Sequence, residues 1–253
     1  MKRYVGKRNI GLLFVILQTI LYVAFLTLDL IGGNINLSSN IKFTMIILCF
    51  CYAFFSKNNA GRSIISYLQA ALFLTVISDL FILILDYYFY GVLTFILVQQ
   101  LYGIRLIMIR KENNCKESAL VLRAFLLRFL IQLAISALVC FVLFKSGIRL
   151  EELLPATVFY FISLLLNVVS SIKIALIDLK NKGNLLFAVG MVLFLFCDIN
   201  VGLFNLSGFV TISKDLYELI YFFSSILMWV FYAPSQVLIA LSVKISLKEP
   251  KLL

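Results

Sequence analysis

Apolar residues run through this sequence in long blocks, separated by short polar connections that are mostly basic. Eight blocks stand out: Gly11–Ile31, Ile41–Phe55, Ile64–Leu85, Tyr90–Ile109, Ala124–Phe144, Leu153–Ile177, Leu185–Leu206 and Leu216–Val243. Crossing about 30 Å of hydrocarbon at about 1.5 Å per residue takes roughly 20 residues in a helix. All but the second block meet that length. The pattern therefore predicts an all-α fold, a polytopic helical membrane bundle of eight spans in one domain, residues 1–253. A seven-span reading, with Ile41–Phe55 tilted or interfacial, stays open. The leading "MKRYVGKR" also suits a signal peptide. The apolar block behind it is too long for one, however, and ends in "TLDLIGG" without an A-x-A site, so a retained helix is expected.

Composition supports the bilayer as solvent. The chain is 63% hydrophobic and 13% charged, whereas soluble domains run about 45–50% apolar and about 25% charged. Basic residues set the expected orientation. With a cytoplasmic N-terminus, Lys2, Arg3, Lys7, Arg8, Lys57, Arg62, Arg105, Arg110, Lys111, Lys116, Arg123, Arg128, Lys173, Lys180, Lys182, Lys244, Lys248 and Lys251 fall inside. Only Lys42, Lys145, Arg149 and Lys214 fall outside, so 18 of the 22 basic residues share one side. Losing a span would invert the later loops and destroy that bias, which favours eight spans with both termini cytoplasmic. The net charge of +10 then reads as loops lying on anionic headgroups. Nothing suggests nucleic acid, and the short loops imply no soluble partner. Abundant Ile, Lys, Asn and Phe point to an AT-rich genome and a bacterial plasma membrane.

The chain has no histidine, which excludes Ser-His-Asp triads, His-ligated zinc and haem with an axial histidine. A retinal protein would need a mid-membrane lysine in the last span, but Lys244 stands at that span's end. Four cysteines, Cys49, Cys51, Cys140 and Cys197, fall in apolar blocks and Cys115 in a loop, so no disulfide framework is implied. The "CFC" at 49–51 supplies two thiols without further ligands, and reads as apolar filler. No metal and no cofactor is expected.

Ionised groups at bilayer depth are costly, so each faces the bundle interior and is a functional candidate. Asp79 lies late in the third block and Asp198 just past the middle of the seventh, at similar depth if both run outward. Asp29 and Asp86 stand nearer span ends, where interfacial water solvates them. Helical spacing aligns Asp79 with Thr75 and Asp86, and Asp198 with Gly202 and Asn205. Further stripes join Tyr160, Ser163, Asn167, Ser170 and Ser171; Ser225, Trp229, Tyr232 and Gln236; Gln99 and Tyr102; and Gln18, Tyr22 and Asp29. Such stripes also serve simply to hydrogen-bond helices together. With two acids at matching depth they predict a polar intramembrane cavity. Two carboxyls in one water-poor pocket do not both ionise readily, so one keeps its proton. That is apparatus for acid/base hydrolysis without histidine. The long connection at 110–123 divides the chain into four spans plus four, and "ISDLF" (77–81) and "FCDIN" (196–200) sit at equivalent places. A parallel internal repeat is consistent with this.

Four segments in order, "VISDLF" (76–81), "GVLTFILVQQLY" (91–102), "LFCDINVGL" (195–203) and "FYAPSQVLIALS" (231–242), make the chain similar to the lysoplasmalogenase-like, YhhN-type membrane proteins. The resemblance implies hydrolysis of the vinyl ether bond of lysoplasmalogens, a membrane lysophospholipid substrate, to a fatty aldehyde and a glycerophospho-alcohol. It implies Asp79 and Asp198 as the catalytic pair, one acid and one stabiliser or base, with Gln99, Tyr102, Asn167, Tyr232 and Gln236 binding substrate or water. Three departures accompany it. Ser78 replaces a glycine, Cys197 a serine, and Gln99 the fourth-span histidine; glutamine hydrogen-bonds but carries no proton as imidazolium does. The alternative is a proton-coupled transporter or lipid-binding protein in which the acids relay protons. Few Gly or Pro residues interrupt the spans, chiefly Pro234, so broken transporter helices are not signalled.

Overall fold

The computed structural model of the protein describes residues 2–56, 62–112, 118–208 and 213–244. Cys115, Lys57, Lys116, Lys248 and Lys251 lie outside the described residues. Eight long helices make up the described chain: α1 (Lys2–Leu30), α2 (Ile35–Phe55), α3 (Arg62–Asp79), α4 (Tyr88–Glu112), α5 (Ser118–Lys145), α6 (Leu153–Ile177), α7 (Lys182–Phe204) and α8 (Lys214–Leu241). Each of the eight is long and apolar enough to span a bilayer. Successive helices run antiparallel, so α1 begins and α8 ends on the same side, the terminal side; the other is the far side.

The second span is where the hydropathy pattern falls short. Asn34 caps α2, its side chain accepting from the Leu37 N–H at 3.1 Å, so the helix starts six residues before Ile41 and spans 21 residues. The polar turn "NLSSNIK" is helical because its charge is neutralised locally. Lys42 Nζ lies 2.8 Å from Asp29 Oδ2, and Ser38 Oγ donates to Asp29 Oδ1 at 2.5 Å. The Lys42 ammonium also sits over the rings of Trp229 (4.8 Å) and Phe25 (5.4 Å), a contact that favours the cation further. Eight spans replace the seven-span reading. Asp29 is therefore ion-paired rather than simply solvated at the interface. Asp86, by contrast, is exposed in the α3–α4 connection.

Six helices close a ring in the order α2, α3, α4, α6, α7, α8, each packed on the next and α8 back on α2. The remaining two lie outside it: α1 in the groove between α2 and α8, α5 in the groove between α4 and α6. Exchanging α1–α4 for α5–α8 maps every one of these pairings onto another. This is the neighbour scheme that a parallel four-plus-four repeat produces. Lipid-facing residues such as Leu13, Ile20, Leu127, Leu130 and Leu138 leave the outer faces of α1 and α5 apolar and exposed. The four described cysteines are free.

Pro234, inside α8, has no N–H to give the Val230 carbonyl one turn earlier. In hydrocarbon no water can replace that donor, so a neighbouring side chain must. Tyr22 of α1 fills the role, its hydroxyl donating to Val230 O at 3.2 Å. Tyr22→Phe is expected to cost about 1 kcal/mol of stability. In a Pro234→Ala background the loss shrinks, because the new amide restores the helical bond. Thermal unfolding of the four proteins in detergent checks this; equal losses in both backgrounds would contradict the account.

Candidate active site

The far-side half of the ring interior is built around two carboxyls. Asp79 ends the α-helical part of α3 and is followed by a π-helical turn, Leu80–Ile84. The wider turn is closed by Leu85 N donating to Leu80 O at 3.1 Å and ends at Asp86, whose φ of 58° is left-handed. Such turns cluster at functional positions because they re-aim side chains without ending the helix. Here the inserted residue rotates Asp86 out of register, so of the two residues aligned with Asp79 by spacing only Thr75 is buried beside it. Gly91 of α4 accommodates the swollen turn: a Cβ there would lie 2.4 Å from Ile82 Cγ1. Ser78 Oγ donates to Gly91 O at 2.7 Å and locks α3 to α4 beside the acid. The serine that departs from the family's glycine thus makes a specific bond.

Each carboxyl accepts from a tyrosine on another helix. Asp79 is buried at 3% exposure, and its Oδ2 accepts from the Tyr232 hydroxyl of α8 at 2.6 Å. Asp198 of α7 accepts at Oδ2 from the Tyr160 hydroxyl of α6 at 2.5 Å. Phe95 of α4 stands between the two pairs. Its ring centroid is 5.9 Å from that of Tyr160, 6.4 Å from Tyr232 and 5.8 Å from Phe194, which itself packs 5.5 Å from Tyr232. The two pairs belong to one site. Tyr160 lies within electrostatic reach of Asp79 and of Tyr232, and buried Cys197 within reach of both acids. The acids differ in access: Asp79 is sealed inside the ring, whereas Asp198 is only partly buried.

One helical turn toward the terminal side lies a layer of amides. Gln99 and Gln236 are fully buried, and no protein group partners Nε2 of Gln99 or either polar atom of the Gln236 carboxamide. Asn167 Nδ2 donates to both the Gln99 backbone oxygen and its Oε1 at 2.8 Å. Tyr102 is also fully buried, but deeper, edge-on to Phe187 at 5.4 Å. So Tyr232 touches a carboxyl, Gln99, Asn167 and Gln236 form the adjoining layer, and Tyr102 stands apart from the acids beside Arg105. The Arg105 guanidinium lies 4.2 Å from the Phe187 ring, inside the bundle rather than at its rim.

Two contributors escaped the sequence-derived site. Tyr160 stood in the α6 polar stripe but was not singled out as touching an acid, and Phe95 carries no polar signal at all. Periodicity showed which way Tyr160 faces; the α7 residue opposite it is a tertiary fact.

The YhhN family matches residues 37–243, a stretch that holds both acids, both tyrosines and the amide layer. The chain belongs to the YhhN family. No curated protein and no solved structure matches the chain. Within this YhhN protein Gln99 occupies the place where the family resemblance puts a histidine, and its Oε1 is an acceptor held by Asn167. The position therefore supplies a fixed amide dipole, not a titrating base.

Asn167 also accepts from Arg128 Nη2 at 2.6 Å through Oδ1, so it links α4, α5 and α6. Asn167→Leu strips partners from Arg128 and Gln99 together. A loss of about 1–3 kcal/mol is expected from the buried groups left unsatisfied, measured as a lower unfolding temperature in detergent. An unchanged temperature would show that the triad does not hold these helices together.

Proposed function

We propose that this YhhN protein is a membrane hydrolase of the lysoplasmalogenase type, cleaving the vinyl ether bond of a lysophospholipid. The carrying observation is the pair of tyrosine-bound carboxyls, from α3 and α7, around one aromatic wall in a chain without histidine. Vinyl ether cleavage needs a proton delivered to the outer alkenyl carbon, which leaves an oxocarbenium ion at the carbon bonded to oxygen. It next needs a water to add there and lose a proton. The hemiacetal so formed collapses to a fatty aldehyde and a glycerophospho-alcohol. A protonated carboxyl supplies the first proton, and a carboxylate stabilises the cation and takes the proton from water. No metal enters this sequence of steps.

The partly accessible Asp198 is the carboxyl that meets the alkenyl group in this reading. Asp79, sealed against Tyr232, is the second carboxyl of the pair. Phe95 and Phe194 line the approach and keep bulk water from the cation. The free Nε2 of Gln99 and the Gln236 carboxamide orient the ether oxygen and the attacking water. Residue usage supports a seat in a bacterial plasma membrane, with the substrate drawn from the surrounding lipid.

Aldehyde release by the purified protein in detergent tests the proposal. Asp79→Asn and Asp198→Asn should each lower turnover by roughly 10²–10⁴-fold, the usual worth of a positioned acid or base. Tyr160→Phe and Tyr232→Phe keep the carboxyls and are expected to lose less. Folded asparagine variants that turn over at the wild-type rate would end the hydrolase reading.

A further inference from the structure

A partly buried cation without a counter-ion among the described residues lies in the seam between α4, α5 and α6. Arg128 belongs to the membrane-crossing part of α5, where an arginine is costly unless paired or solvated. Among the described residues no carboxylate pairs with it. Its guanidinium lies flat against Gly103 of α4, where a Cβ would come within 3.1 Å of Cζ and 3.2 Å of Nη1. The glycine keeps that seat open. Nη2 donates to Asn167 Oδ1 at 2.6 Å and reaches Ser163 O at 3.5 Å, but Nε has no protein partner.

The groups next to it are polar and underused. One turn along α5, Gln132 is fully buried with both amide atoms unpartnered; one turn further, buried Ser136 Oγ is unpartnered as well. Because Gly103 opposes Arg128 on antiparallel helices, Gln100 of α4 stands level with Gln132. Gln100 Nε2 donates to Ser163 Oγ at 3.2 Å while its Oε1 has no partner. Unmade hydrogen bonds at this density are expensive within a membrane protein. A guanidinium without a counter-ion, with an unmade N–H bond near the unpartnered Gln132 carboxamide, is instead what a phosphate ester binds.

We infer that this seam is the headgroup site of the enzyme: Arg128, with Gln132, holds the phosphodiester anion of the lysophospholipid while its alkenyl end lies at Asp198. The inference rests on the hydrolase reading for the identity of the lipid. Its geometry suits one molecule. Asn167, on Arg128, and Tyr160, on Asp198, are seven residues apart on α6, about 10 Å along the axis. The guanidinium already stands at Asn167, and an extended phosphodiester, glycerol and enol ether run is of that order of length. Arg128 thereby sets specificity for a charged lysophospholipid over a neutral alkenylglycerol.

Binding, not turnover, tests this. The full chain in detergent is titrated calorimetrically with a saturated 1-alkyl lysophosphoethanolamine, which has no double bond to protonate, and with a 1-alkylglycerol of the same chain length. The wild type is expected to prefer the phospholipid by about tenfold or more, the scale of one desolvated charge contact. Arg128→Gln should bring the two ligands to within about twofold, and Arg128→Lys should keep part of the preference. Inorganic phosphate and glycerophosphoethanolamine, added alone, should bind far more weakly than the lipid. Equal wild-type affinity for the two lipids would overturn the inference even if Arg128→Gln does not fold. So would a full preference surviving in Arg128→Gln, and soluble phosphate binding as tightly as the lipid would assign the seam to a free anion instead. Since nothing is cleaved, headgroup discrimination without aldehyde release would retire the hydrolase reading and leave this one standing. Aldehyde release without discrimination would do the reverse.

Discussion

Hydrocarbon offers no hydrogen bonds, and the arrangement of these eight helices follows from where the polar groups of the chain find theirs. The Val230 carbonyl freed by Pro234 is met by Tyr22, which seats α1 in the α2/α8 groove. Asp29, Ser38 and Lys42 neutralise one another, which carries α2 through a stretch too polar to cross by itself. Arg128, Asn167 and Gln99 join α5, α6 and α4. In each case the bond is local in space and remote in sequence, and it decides which helix lies beside which.

The same logic gives the bundle its two-fold organisation. In both halves the first helix lies outside the ring and inserts polar side chains between two ring helices: Gln18 and Tyr22 from α1, Arg128 and Gln132 from α5. The halves have diverged in what they insert. The α1 side reaches backbone carbonyls through Gln18 and Tyr22 and pairs its Asp29 with Lys42, whereas the α5 side presents a cation without a counter-ion among the described residues and the unpartnered Gln132 amide. The acids are likewise equivalent in position, at the ends of "ISD" and "FCD", yet one is sealed and the other partly open.

Around the carboxyls the site is aromatic rather than ionic. Phe95, Phe194, Tyr160 and Tyr232 form a continuous wall, and the two tyrosine hydroxyls are the groups bonded to the acids. A wall of this kind excludes water while leaving hydrogen-bonded carboxyls able to exchange protons, the condition acid/base chemistry on a lipid requires. Gln99, held by Asn167 where the family resemblance puts histidine, carries no titrating proton, so in the proposed reaction proton transfer falls to the aspartates.

Much of this was legible from the chain alone. Block length and the near absence of charge determine eight apolar helices, because a bilayer imposes a fixed crossing length. Periodicity placed Thr75, Asp79, Tyr160, Asn167, Tyr232 and Gln236 on inward faces, because a polar side chain in lipid must turn toward protein. Other features belonged to the tertiary structure. The start of α2 at Ile35 depends on a lysine pairing with an aspartate from another helix, which hydropathy counts as two penalties instead of one neutral pair. The π-turn after Asp79 breaks the 3.6-residue spacing that aligned Asp86 with it. Arg105 and Arg128 count as rim charges in the sequence, but Arg105 lies inside the bundle and Arg128 partly buried in the seam between α4, α5 and α6. Which tyrosine meets which acid, and that Arg128 meets Gly103 instead of a carboxylate, was decided by helix neighbours. A helical pattern fixes the direction a side chain faces, and only packing determines what stands opposite.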